Sequence, residues 1–159
     1  MSPYTYTISL RINNPTSDLK EVYDSLTTIS GAIVTPVKRA GTTRKDPKGK
    51  VLAGNYSESS FNLSFAKNWE KSAENSLQDS LREFVKKIMP FKDSIQSVVL
   101  TDGRLDFFIG VICGRNSGIV FSPDLLGQIS ALGIEIGLDI FSSNEDSSNA
   151  IASESELAS

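Results

Sequence analysis

Tyr4, Tyr6, Ile8, Leu10 and Ile12 alternate without a break with Thr5, Thr7, Ser9 and Arg11. A period of two places every large apolar side chain on one side of an extended chain. Such a strand must lay that side against another layer, so the chain is committed early to a sheet with one covered face. Phe61, Leu63 and Phe65 repeat the pattern, as do Ile134, Ile136, Leu138 and Ile140 with Glu135, Gly137 and Asp139 on the other side. Residues 105–113 differ. Leu105, Phe107, Ile109 and Val111 occupy one side while Phe108 and Ile112 occupy the other, which marks a strand in the middle of the sheet.

Helices are read from a different period. Asn13-Asn14-Pro15 ends the first strand, and Thr16, Ser17 or Asp18 can cap a helix beginning there. Leu19, Val22, Tyr23 and Leu26 then form one apolar stripe, and Gly31 stops it. Leu77, Leu81, Phe84, Val85 and Ile88 line the clearest helix, with Lys86 and Lys87 near its C-terminal end and Pro90 closing it. Ser122-Pro123-Asp124 starts a third, short helix with Leu125, Leu126, Ile129 and Leu132 inside, and Gly133 suits its end. Residues 95–100 read as a strand joined to residues 105–113 by a hairpin around Thr101-Asp102-Gly103-Arg104, because Asp-Gly favours such turns. Ile33, Val34 and Val37 predict a short edge strand interrupted by Pro36, and residues 119–121 a further short strand. The expected fold is α+β: a single domain over 1–141, with a mainly antiparallel sheet, two long helices and one short C-terminal helix packed mostly on one face. Residues 142–159 are rich in Ser, Asn, Glu and Ala, which predicts a disordered acidic tail.

Composition excludes whole classes of chemistry. There is no histidine, so the usual neutral-pH base and metal ligand are missing. Cys113 is the only cysteine, which rules out an intrachain disulfide or a cysteine zinc cluster and suits a buried filler. The start of the chain lacks the basic and apolar regions of a signal peptide, and no apolar run is long enough to span a membrane. The expected setting is cytoplasmic, with no membrane partner and no cofactor.

The net charge of −3 is modest, but its distribution is uneven. Residues 38–50 carry Lys38, Arg39, Arg44, Lys45, Lys48 and Lys50 against Asp46 alone, whereas no cation comes after Arg115 and seven acids do. The segment reads as a long mobile loop able to contact phosphates or an acidic protein groove. Asp102, Asp106 and Asp139 are candidates for a hard-cation site, although Asp102 fits a turn and Asp106 a strand edge. Asp139, inside an apolar strand, fits a structural role, either capping backbone N–H groups or pairing with an arginine such as Arg104 or Arg115. Gly110, Gly114 and Gly118 around residues 115–117 read as a plain turn, and Trp69 among Lys67, Asn68, Glu70 and Lys71 fits either an interface anchor or a lid over the core.

The run GIVFSPDLLGQISALGIEIGLDIFSS resembles the closing signature of a bacterial family of small α+β domains described only as a domain of unknown function. The matching features are Ser122-Pro123, Leu125, Leu126, Leu132-Gly133 and Leu138-Asp139-Ile140-Phe141, and the likeness extends over most of residues 4–141. Where members often carry a Trp in the middle strand, this chain has Phe61. The resemblance implies a non-catalytic, immunity-protein-like domain that binds a cognate toxin protein. The other expectation is a nucleic-acid-binding module built on residues 38–50. Candidate contact residues are Lys38, Arg39, Arg44, Lys45, Lys48, Trp69, Arg104 and Asp139, with no catalytic or metal-ligating residue among them.

Overall fold

A computed structural model describes residues 2–114 and 116–143; the predicted tail beyond 143 and Arg115 lie outside the described residues. The elements run β1 (Tyr4–Asn14), α1 (Lys20–Leu26), β2 (Ile33–Val34), β3 (Thr43–Lys45), β4 (Val51–Asn55), β5 (Ser59–Ser64), β6 (Glu70–Lys71), α2 (Leu77–Ile88), a 3-10 turn (Met89–Phe91), α3 (Lys92–Leu100), β7 (Arg104–Cys113), α4 (Pro123–Ala131) and β8 (Glu135–Ser142). The main sheet has the order β2-β5-β1-β7-β8, with β6 also pairing the start of β1. All its pairings are antiparallel except β7 with β8. The α+β class therefore holds, with a mixed sheet.

The alternation read from β1 is reproduced in the burial. Tyr6, Ile8, Leu10 and Ile12 are buried, and they register against Val111, Ile109, Phe107 and Leu105 of β7, which are buried too. Phe61 and Leu63 of β5, the α2 stripe, Val22 and Leu26 of α1, Ile95 and Val98 of α3, and Leu125 and Ile129 of α4 join them in one core. β7 lies between β1 and β8, as its two apolar faces predict, and β2 lies at the sheet edge.

Ser122 caps α4 as expected, its side chain accepting from the Leu125 amide at 3.2 Å. The first helix is shorter than its stripe. Leu19 is buried but holds a left-handed conformation (φ 60°), so α1 spans seven residues rather than forming a long helix. Residues 119–121 form no strand, although Ile119 and Phe121 pack on the core.

The largest correction concerns residues 95–100, which are helix α3 and not a hairpin strand. Pro90 sits in the 3-10 turn that leads α2 into α3, where its missing amide costs little. The Asp-Gly pair ends that helix instead of turning a hairpin. The Asp102 amide donates to Val99 O at 3.2 Å and the Gly103 amide to Val98 O at 2.8 Å, with Asp102 at φ 62°. Those two bonds satisfy the last carbonyls of the helix in a Schellman arrangement. Beside this turn, the fully buried Asn14 side chain accepts from the amides of Thr16 and Ser17 and donates to Thr101 O and Oγ1. One amide group thus ties the end of β1 to the end of α3.

Candidate functional site

Residues 38–50, read as a mobile loop, are part of a long β-ribbon. Ile33 and Val34 register with Ser64 and Leu63, the Thr35 amide donates to Asn62 O, and Lys38 bridges Ser60. The same two segments continue past the main sheet, where Gly41 and Thr42 exchange backbone bonds with Tyr56 and β3 pairs with β4. Every residue of β3 and β4 is exposed, so this end of the ribbon projects as a two-stranded arm. Sequence reading missed it because β3 is three residues of Thr, Arg and Lys, with no apolar alternation to announce a strand.

The arm organises itself locally. At its tip the Asp46 carboxylate accepts from the amides of Lys48 and Lys50 at 2.9 and 2.8 Å. The single acid of the segment is thereby spent on the turn. The Tyr56 hydroxyl accepts from the Lys45 amide and donates to the Lys45 carbonyl, and the Lys38 ammonium lies 5.9 Å from the Tyr56 ring centroid. Arg44 reaches only a backbone carbonyl, Ala53 O, at 3.4 Å. None of the six cations of residues 38–50 forms an ion pair among the described residues. Val51 and Leu52 stand exposed on the neighbouring strand. Between the arm and β5 lies a cleft of about 790 Å³ whose lining includes Thr35, Lys38, Lys45, Tyr56 and Phe61.

The remaining candidates do not join the arm. Trp69 lies against the uncovered face of the sheet, over Gly110: a Cβ at that glycine would sit 3.0 Å from the Trp69 ring and 3.1 Å from Thr7 Cγ2. Trp69 is nevertheless 45% exposed, so it is a packed lid with one free face. Asp139 is the register partner of Gly110, on that same face of the sheet. Arg104 pairs with Glu135 at 3.1 Å rather than with Asp139, both side chains being exposed. Asp106 is held by Arg11, whose guanidinium also stacks 4.4 Å from the Phe108 centroid. No group of three or more acids, His or Cys that would hold a metal exists among the described residues, so the three aspartates are not brought together. Cys113 is partly buried at the end of β7.

Two predictions arise from these packings. Gly110→Ala is expected to push the Trp69 indole outward, at a cost of up to about 1 kcal/mol because the indole already has a free side. The readout is fluorescence: Trp69 is the sole tryptophan, and its emission should shift to the red.

The second concerns Glu70, whose backbone registers with Tyr6. Burial raises its carboxyl pKa above the ordinary value. A raised carboxyl pKa means that the folded state holds the proton more tightly. Stability is then lost as pH rises from the unfolded value through the folded one. Glu70→Gln should raise the melting temperature slightly at neutral pH, and the gain should vanish in acid. An equal gain at both pH values would contradict this account. Burial likewise raises the Tyr6 hydroxyl, although Ser80 opposes it through a 2.6 Å hydrogen bond. That hydroxyl also donates to the carbonyl oxygen of Asn75, joining β1 to the chain just before α2.

No curated protein and no solved structure matches this chain. Among the described residues, no helix is long and apolar enough to cross a membrane. A family model does match, over residues 4–143, spanning every strand and helix described above. The chain belongs to the family described as domain of unknown function DUF4279.

Proposed function

We propose that this domain is a non-catalytic protein-binding module of the immunity type, which occludes a cognate toxin through its basic arm. One observation carries the reading. The arm and the ribbon at its base present six cations, Lys38 to Lys50, with no acid paired to any of them among the described residues, beside the exposed side chains of Val51 and Leu52. Unpaired cations leave their charge available to an acidic surface, and segregated charge speeds and orients encounter. Exposed aliphatic groups next to them suit a protein surface, where apolar contact supplies affinity that charge alone does not.

A second reading, nucleic-acid binding, is favoured by the arm's shape, since a two-stranded ribbon fits the major groove of a duplex. Against it stands the lack of a free aromatic on the arm for base stacking, Tyr56 being engaged at both its hydroxyl and its ring.

The deciding experiment pairs the purified chain with the product of any toxin gene adjacent to its own, in a binding assay and a co-expression rescue, with duplex DNA as the comparison. Binding that persists at moderate salt, together with rescue of growth, supports the immunity reading. Failure of both sinks it. Duplex binding that disappears steeply with salt would transfer the function to nucleic acid.

A further inference from the structure

The two edges of the main sheet are built differently. The β2 edge contains Pro36 just past the strand and runs into the basic arm, both devices that discourage another strand from adding there. The β8 edge has neither. Glu135–Ser142 is regular over its whole length against β7 and contains no proline, lysine or arginine. On the side turned away from β7, Glu135–Phe141 pairs with no other strand among the described residues. It is also apolar where it should be covered. Ile136, Leu138 and Ile140 register with the buried Phe107, Ile109 and Val111, so they project to the core side of the sheet. Yet Leu138 is 46% exposed and Ile140 59%, while Phe141 on the opposite face is 50% exposed.

We propose that this edge is completed by a second copy of the same chain, β8 pairing antiparallel with β8 about a two-fold axis at Leu138. The sequence of the strand selects both the partner and the register. With the axis at Leu138, Leu138 meets its own copy and Ile136 meets Ile140, giving a continuous apolar row on the core side. On the other face Gly137 meets Asp139 and Glu135 meets Phe141, so no acid faces an acid. Moving the axis to Gly137 would set Glu135 directly against Asp139, and moving it to Asp139 would set that carboxylate against its own copy; like charges directly opposite destabilise a sheet. An axis between residues is disfavoured by the pleat, which would turn the apolar row of one copy to the uncovered face of the other. The pairing is isologous and closes at two copies. It also leaves the guarded β2 edges and their basic arms at opposite ends of one sheet, so that a dimer carries two separated arms. This assembly does not depend on what the arms bind.

The test is the mass of the full chain in solution by sedimentation equilibrium, with two variants at the axis. Wild type is expected near twice the 17.3 kDa chain mass at micromolar concentrations. Leu138→Lys and Leu138→Glu should each weaken dimerisation roughly a hundredfold, because each sets like charge against like charge. Mixed in equal amounts, the two variants should regain a dimer, since Lys then faces Glu. Leu138 is half exposed, so both are expected to fold, with circular dichroism as the check. A wild-type chain that stays monomeric overturns the proposal, independently of the variants. So does a dimer that survives both single substitutions, or a mixture that stays monomeric.

Discussion

Changing Arg44, Lys45 and Lys48 together to glutamate is expected to weaken partner binding about a thousandfold while leaving the melting temperature within a degree or two of wild type. All three side chains stand on the projecting arm, and none contributes an ion pair to the fold among the described residues. Reversal both removes an attraction and adds a repulsion, at on the order of 1 to 2 kcal/mol for each contact formed in the complex. The backbone of the arm should survive. Its tip depends on the Asp46 carboxylate and the Lys48 and Lys50 amides, and its base on the Tyr56 hydroxyl against the Lys45 backbone. Titration calorimetry against the proposed toxin partner, with thermal unfolding alongside, separates the two effects. A variant that binds as tightly as wild type would remove the arm from the interface and with it the proposed function.

Gly103→Ala is expected to lower stability by about 3 kcal/mol, roughly 10 °C in melting temperature for a chain of this size. A Cβ there would meet Val98 Cγ1 at 2.4 Å, Val98 O at 2.6 Å and Asn13 O at 2.8 Å. Two of those three neighbours are backbone atoms, one from β1 and one from the last turn of α3, and neither can move without breaking the hydrogen bonds that fix it. The Gly103 amide itself closes the helix on Val98 O. Asp102→Gly provides the contrast. Asp102 holds φ 62°, a conformation glycine adopts freely, so that change should cost under about 0.5 kcal/mol or even stabilise. Thermal unfolding of the two variants distinguishes close approach from backbone conformation as the reason for the Asp-Gly pair. Equal, small effects at both positions would argue against the helix-ending turn described here.

That dipeptide also shows where local reading stops. A left-handed residue followed by glycine serves a hairpin and a Schellman helix end equally well, so Asp102-Gly103 announces a turn without saying which. The β-branched run Val98-Val99 leans toward a strand by propensity. What decided for helix was burial: Ile95 and Val98 reach the core on one side of α3, while Leu100, the last residue of the run, is 84% exposed. The side chains of α1 come within reach of the same helix, Ser25 Oγ lying 3.4 Å from Ser94 Oγ. Contacts of that range leave no mark in a window of seven residues.

The candidate site was legible only in part. Six cations in residues 38–50 were visible as charge, and Trp69 as an aromatic in a polar stretch. That the cations stand on a ribbon, unpaired among the described residues, depends on backbone pairing across residues 33–64, which the Thr, Arg, Lys and Gly of the arm do not advertise. Trp69 over Gly110 depends on β6 being drawn to β1, two strands whose pairing covers only Thr5 and Tyr6. Asp139 and Arg104, joined in the sequence reading by their charges, are kept apart because Arg104 and Glu135 each open a strand and Asp139 comes four residues further along β8.

By itself the sequence determined the strands whose period of two is strict, the stripe of α2, the Ser122 and Gly133 ends of α4, the central place of β7 and a composition with no histidine and a single cysteine. These are local properties, set by side-chain alternation, capping and composition. Tertiary structure alone decided that β8 runs parallel to β7, because a helix between two strands returns the chain to its starting end. It likewise decided that residues 92–100 are helical, that the basic segment is a ribbon, and that one sheet edge is guarded while the other presents Leu138 and Ile140 to solvent. Each of those outcomes is a competition among partners distant in sequence, and the winner is the arrangement that buries the most apolar surface while pairing the backbone.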